Sequence, residues 1–363
     1  MNPGRLLRAL GPWIGLLFTW ALFRLLVGAE FGTWSNQKLM LLQTAVVGTA
    51  AIGATWIIVS GGIDLSVGST IALTTMVIAH LLERGAPPTL AALGGLAAAA
   101  VVGLSIGVLV TGHVLPFAIS LLGGIVTGRL AGPWVGIGVA AALGLALSTP
   151  RARRSFPRLE LSPFIVTLGM WGALRGLAKG IGDNQPIYPS ELGWLSRSMQ
   201  EADSGPFALL VPGVWVLLGV ALVFALLLEN TVFGRHVVAI GSSEETARLC
   251  GVRVERTKVG LYALAILCAG IAGVLQLGYL SMGDPTTAMG YELKVIAAVV
   301  IGGASLTGGE GSIQGTLVGA LIMVVVDNGC TQLGLDNWVQ DVVTGGIILT
   351  AVALDRLRHT GRS

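Results

Sequence analysis

Asp64 is the residue most able to do chemistry in this chain. It lies in Ser60-Gly61-Gly62-Ile63-Asp64-Leu65-Ser66-Val67-Gly68, between two apolar runs. A carboxylate inside a bilayer costs about 2.5–3.5 kcal/mol on insertion scales, so it calls for a partner or a wet cavity. The pattern returns at a constant offset in Gly302-Gly303-Ala304-Ser305-Leu306-Thr307-Gly308-Gly309. Gly61 matches Gly302, Gly62 matches Gly303, Asp64 matches Ser305, and Ser66 matches Thr307. Each Gly-Gly pair follows an apolar run, where it cheapens non-helical backbone and stops a helix. Backbone freed in this way inside a membrane must face protein or a water-filled cavity. Paired broken helices in two halves of a chain point to a transport pathway, and two ordinary Gly-rich turns are the plain alternative. Asp64 also fits as a cap for a helix starting near Leu65, a role compatible with lining a pathway.

Other reactive groups are sparse. The four His (80, 113, 236, 359) form no metal-ligand pattern. Three Cys (250, 268, 330) cannot make a disulfide framework. No Lys stands in a phosphate-loop context, so any ATP used must be held by another chain. An intramembrane enzyme would need a catalytic constellation, but Asp64, Glu292, Asp327 and Asp341 have no His or Cys pair beside them. The chain is therefore not expected to be an enzyme.

A second constellation lies in the polar segment 229–257. Ser242 with Glu245 reads as a capping box. Glu244 and Glu245 suit the first turn, Arg248 suits the last, and Gly251 is a helix stop. This predicts a two-turn helix over about 243–250 with Ala247, Leu249 and Val252 as a small apolar face. The face belongs either to a loop helix or to a coupling helix that docks into a cytoplasmic motor.

The elements that must position these groups follow from composition. Of 363 residues, 53 are Gly, and only 11% are charged against 53% hydrophobic. A soluble domain carries about 25% charge, so a membrane protein of close-packed helices is expected. Spans are predicted near 12–28, 39–59, 65–82, 90–112, 163–181, 207–228, 258–281, 291–303, 312–330 and 339–355. An added hairpin is predicted at 115–128 and 133–148. The fold class is thus an all-α polytopic membrane protein with ten to twelve transmembrane helices, broken helices and an internal pseudo-repeat. A single transmembrane domain over 1–363 is expected. It comprises a cytoplasmic N-terminus (1–11), the hairpin with a basic cytoplasmic loop (115–161), an outer loop (182–206) and the cytoplasmic segment 229–257. Fourteen Lys and Arg fall in 1–12, 149–162, 229–258 and 355–363, against Lys38, Arg84 and Arg197 in the opposite segments. The positive-inside rule then places both termini in the cytoplasm. A net charge of +3 gives no reason to expect nucleic acid as a partner.

These residues resemble the permeases of bacterial ATP-binding-cassette importers for simple sugars, of the ribose/xylose/galactose type. The resemblance rests on residues 60–68, on Pro163-Phe164-Ile165-Val166-Thr167-Leu168-Gly169 with Arg175-Gly176-Leu177, and on Phe233-Gly234-Arg235 with Ala239-Ile240-Gly241. It continues through 244–251, 296–309 and Ala351-Val352-Ala353-Leu354-Asp355, so it covers most of 40–355 in order. It implies a homodimer in the bacterial inner membrane, a cytoplasmic ATPase subunit, and a periplasmic sugar-binding protein. It also implies ATPase contact through Ser242, Glu244, Glu245, Ala247, Arg248 and Gly251. The expected cargo is a monosaccharide or polyol, with nucleosides or branched-chain amino acids as the alternative. A neutral, hydroxyl-rich solute needs scattered hydrogen-bond groups. The expected pathway residues are Gly61, Gly62, Asp64, Ser66, Thr167, Gly302, Gly303, Ser305, Thr307 and Asn328.

Three charges stand apart. Lys294 occupies a position where an acidic residue is frequent in that family, and pairing with Glu292 or Asp284 is expected. Arg175 and Lys179, four apart on a helix face, are expected to snorkel, pair with the acidic outer loop, or meet a docked protein.

Overall fold

The computed structural model describes residues 3–131, 143, 156, 157, 159, 161–200 and 210–360. Among them the chain is helical, with one isolated bridge between Ile187 and Gly283. The helices are α1 (Pro3–Val27), α2 (Trp34–Val59), α3 (Val67–Glu83), α4 (Pro88–Val110), α5 (Val114–Ala131), α6 (Pro163–Ile181) and α7 (Trp194–Arg197). They continue as α8 (Pro212–Asn230), α9 (Val232–Ser242), α10 (Glu244–Leu249), α11 (Val254–Leu280), α12 (Tyr291–Ile301), α13 (Ile313–Gln332) and α14 (Asn337–Thr360). The second arm of the expected hairpin, but for Leu143, lies outside the described residues.

The starts have local causes. Pro88, Pro163 and Pro212 open α4, α6 and α8, where the missing N–H is not needed. Hydroxyls of Thr33, Thr231 and Ser312 accept backbone N–H groups in the first turns of α2, α9 and α13. Among the described residues, six helices are long and apolar enough to cross a membrane: Leu10–Val27 within α1, then α2, α4, α8, α11 and α13. This is a multi-pass membrane protein.

Helix α11 is the hub, packed by α2, α3 and α4. Small residues let these backbones close in. On α4, Gly107 lies against Val259 and Gly103 against Tyr262 and Ile266, while Ala99 meets Gly270 of α11, so α4 runs antiparallel to α11. Gly53 of α2 faces the Ala265 carbonyl, and Gly273 faces Thr74 of α3. A side chain at any of these glycines would push two helices apart. The high glycine content therefore reads in part as packing.

Candidate functional site: two helix breaks and the helix beside them

The first break, Ser60–Ser66, begins where α2 ends. Gly61 takes a left-handed φ of 80°. Its N–H donates to the Ile58 carbonyl, and the Gly62 N–H reaches back to the Ile57 carbonyl, both at 2.9 Å. This is a Schellman-type stop. Two residues later the Asp64 Oδ1 accepts the Ser66 backbone N–H at 2.8 Å and the Ser66 hydroxyl at 2.7 Å. Asp64 thus braces the residue before α3. It does not cap the first helical turn itself, because α3 starts at Val67, later than the sequence suggests.

The second break, Gly302–Ser312, repeats both parts. Gly303 has φ 94°. The Gly303 N–H bonds the Val300 carbonyl at 2.9 Å and the Ala304 N–H bonds the Val299 carbonyl at 3.1 Å. Ser305 Oγ then accepts the Thr307 N–H at 3.3 Å and pairs with the Thr307 hydroxyl at 2.8 Å. The polar turns match in the register read from sequence. The helix stops are one residue out of that register, since Gly61 plays the role of Gly303 rather than of Gly302. Gly62 and Ile63 separate stop and turn in the first copy, whereas Ala304 alone does so in the second.

Of the expected pathway residues, Thr167 reaches the first break, donating to the Ile63 carbonyl at 3.2 Å. Asn328 does not join either break. It lies some fifteen residues along α13, about 20 Å from its start. There it accepts from Gln332 Nε2 at 3.3 Å. Gln332 lines an open cleft of about 720 Å³ with Glu30, Thr33, Ser35 and Asn36.

Sequence reasoning passed over the most connected polar groups. Trp171 Nε1 of α6 donates to Glu292 Oε1 of α12 at 2.7 Å, and the Ser69 hydroxyl of α3 donates to the Trp171 carbonyl at 2.8 Å. Arg175 is not a surface charge. It is 8% exposed and its Nη1 donates to the Pro285 and Thr287 carbonyls at 2.9 and 2.7 Å. Snorkelling fails because α6 turns that face toward the segment leading into α12, while Lys179 stays exposed. Asp64 Oδ2, Tyr262 Oη and Glu292 Oε2 are buried without a hydrogen-bond partner among the described residues. Lys294 pairs with Asp327 of α13 at 2.7 Å rather than with Glu292 or Asp284. Thr55 and Thr316 bond across α2 and α13 at 2.7 Å. Trp171, Ser69, Tyr262, Thr55 and Thr316 carry no pattern legible in sequence; Asp64, Glu292, Arg175 and Lys294 were visible as charges, but most of their partners were not.

The helix expected over 243–250 is α10. Its cap is Ser243, whose Oγ accepts the Thr246 N–H at 3.2 Å and whose hydroxyl donates to Thr246 Oγ1 at 2.9 Å. The expected Ser242–Glu245 capping box is not formed, because Ser242 still belongs to α9 and donates to the Val238 carbonyl. Gly251, at φ 86°, ends the helix as expected. Glu244 binds Lys258 at 2.6 Å and Arg248 at 3.2 Å, and Arg248 also binds Glu255 at 3.1 Å. Partial burial pushes the Glu244 carboxyl up, but Lys258 and Arg248 outweigh it and hold it below the usual value. Its partner Glu244 likewise raises Arg248. The expected apolar face is split. Ala247 packs inward with Ile240 and Val254, with Val252 against them, while Leu249 is 83% exposed.

The chain matches the family described as "Branched-chain amino acid transport system / permease component" over residues 112–352. It belongs to that family of permeases. It is 34% identical over 351 residues to the ribose import permease protein RbsC of Bacillus subtilis, covering 96% of this chain and 93% of the relative. It is 33% identical to the ribose import permease protein RbsC of Escherichia coli K12, covering 91% and 88%. It is 31% identical to the L-arabinose ABC transporter permease protein AraH of Azospirillum brasilense, covering 92% and 83%. No solved structure matches the chain.

Proposed function

We propose that the chain is the membrane-spanning subunit of an ATP-driven importer that carries a monosaccharide or related polyol inward across a bacterial inner membrane. The pair of matching helix breaks carries this reading. Each break presents a short polar turn, Asp64–Ser66 or Ser305–Thr307, where the helical ladder is interrupted. Such interruptions are built where a pathway passes. Hydroxyl and carboxylate groups suit a neutral polyol, and the pentose named in the ribose and arabinose relatives supports that cargo. Both termini and α10 then face the cytoplasm, residues 182–206 face outward, and ten to twelve spans cross the membrane. ATP is bound and hydrolysed by a separate subunit that contacts α10, where exposed Leu249 is the natural anchor. A periplasmic binding protein delivers the sugar.

A second copy of the chain supports the pathway from across α6. At Gly169, Gly172, Gly176 and Gly180 of α6 a side chain would meet nothing within 4 Å among the described residues, and small residues on such a face let two helices approach. Branched-chain amino acids, favoured by the family description, and nucleosides are the alternative cargoes.

The test is uptake into proteoliposomes holding the chain with its ATPase and binding protein. ATP-dependent accumulation of labelled D-ribose or L-arabinose is expected. Accumulation of leucine or adenosine in their place overturns the cargo, and no ATP-dependent uptake overturns the permease reading. Leu249→Glu is expected to abolish ATPase co-purification; unchanged binding would remove α10 from the contact.

A further inference from the structure

The two breaks do not lie apart. The Gly309 N–H of the second donates to the Val59 carbonyl, at the end of α2, at 2.8 Å. Gly241, in the last turn of α9, fills the angle between them. A Cβ on Gly241 would run into the Val59 carbonyl and stand 2.6 Å from the Gly309 nitrogen. From the other side, a Cβ on Gly308 would stand 2.7 Å from the Gly241 carbonyl and 2.9 Å from the Gly61 nitrogen. A Cβ on Gly309 would stand 2.7 Å from Ser242 Oγ. At Gly241 three backbone segments therefore meet backbone to backbone. One of these segments ends at Ser242, and Ser243 alone separates it from α10.

Side chains at a contact absorb small displacements by changing rotamer. Bare backbone held by a hydrogen bond cannot, and packed interiors pass strain on rather than dissolve it. The other links from α10 run through flexible side chains: a small apolar cluster of Ala247, Ile240 and Val254, and the ion pairs Glu244–Lys258 and Arg248–Glu255 to α11.

We propose that Gly241 is a positioning residue through which a displacement of α10 reaches both helix breaks together, so that the polar turns at Asp64–Ser66 and Ser305–Thr307 shift as one. The proposal rests on the permease reading given above. In it the absence of a side chain at Gly241 has a transport role as well as a packing one. A bundle that merely needed a small residue there would lose stability on substitution, while sugar moved per ATP hydrolysed would stay the same.

The experiment compares wild type, Gly241→Ala and Gly346→Ala in the chain–ATPase complex reconstituted with its binding protein. D-ribose and L-arabinose are the probes. A Cβ at Gly346 meets nothing within 4 Å among the described residues, so that variant is the control and is expected to match wild type. For Gly241→Ala, sugar moved per ATP is expected to fall roughly tenfold, the size of an ordinary coupling between sites, with the ATPase still bound. A folded Gly241→Ala complex with the wild-type ratio overturns the proposal. Should that variant fail to fold, hydrogen exchange on the wild-type complex decides. On ATP trapping, peptides over 57–62 and 305–310 are expected to change exchange together with 239–243. A change at 239–243 with both breaks unmoved, in a complex that transports, overturns it. Absence of any ATP-dependent uptake by wild type instead defeats the permease reading on which the proposal stands.

Discussion

Around the first break α2 and α3 hardly touch one another, and each packs on α11. Around the second, α12 and α13 fold back on each other through glycine, with Gly315 against the Gly302 carbonyl and Gly319 against the Ala298 carbonyl. The polar turns differ to match. Asp64 and Ser66 are both buried, at 3% and 0% exposure, whereas Thr307 of the second turn is exposed. The first break is an enclosed interior turn fixed by a carboxylate. The second is a longer loop fixed by hydroxyls, and its extra residues, through Gly308 and Gly309, reach the end of α9. A repeated motif has thus been divided between holding an interior polar group and linking to the end of α9 beside α10.

The largest expected effect separates the two surroundings. Gly315→Ala sets a methyl against the Gly302 carbonyl and should destabilise the protein by about 3 kcal/mol, the upper range for overpacking. Limited proteolysis should then open 302–312 before 60–66. Equal opening of both would mean that the hairpin is not an independent unit.

Next come the turns. Asp64→Ala leaves the buried Ser66 N–H and hydroxyl without their acceptor and should cost about 2 kcal/mol. Ser305→Ala, in a part-exposed turn, should cost about 1 kcal/mol. Asp64→Asn keeps an acceptor and removes a buried charge, so its thermal midpoint should stay within a few degrees of wild type. A midpoint as low as that of Asp64→Ala would show that the charge itself is needed.

The helix stops should behave alike. Gly61→Ala and Gly303→Ala each force a left-handed residue and should cost about 1 kcal/mol. Gly302→Ala is the control for register, since its φ of −65° is ordinary. Its penalty should come from contact with the Gly315–Thr316 backbone and be relieved in no Gly61 variant.

The smallest effect lies at α10. Glu244→Gln should cost about 0.5 kcal/mol, as exposed ion pairs do. Because the folded carboxyl is held below its ordinary value, the stabilisation is full above that ordinary value. It is lost as pH falls through the lower folded value. Wild type and Glu244→Gln should therefore converge in thermal midpoint at acid pH and diverge near neutrality.

Much of this was legible before any coordinates. Apolar runs marked α4, α6 and the end of α2 closely, because span length and, for α4 and α6, an opening proline leave little choice. The repeat showed its polar turns in register, since Asp64 and Ser305 make the same local bond to the residue two ahead. The one-residue slip in the helix stops was hidden, because adjacent glycines in each pair offer two candidates for a single left-handed position. Ser242 and Ser243 posed the same difficulty at the α10 cap. Arg175 was misread because the sequence shows that it lies on a helix face but not what that face meets.

What the sequence determined by itself was therefore local: spans set by hydropathy, stops set by glycine, turns set by a carboxylate or hydroxyl two residues from its donor. These depend on neighbours in the chain. The tertiary structure alone decided that Val59, Gly241 and Gly309 share one backbone contact, and that Glu292 receives Trp171. Such contacts join residues far apart in sequence through close helix packing, whose partners are chosen by shape over the whole bundle rather than by any local pattern.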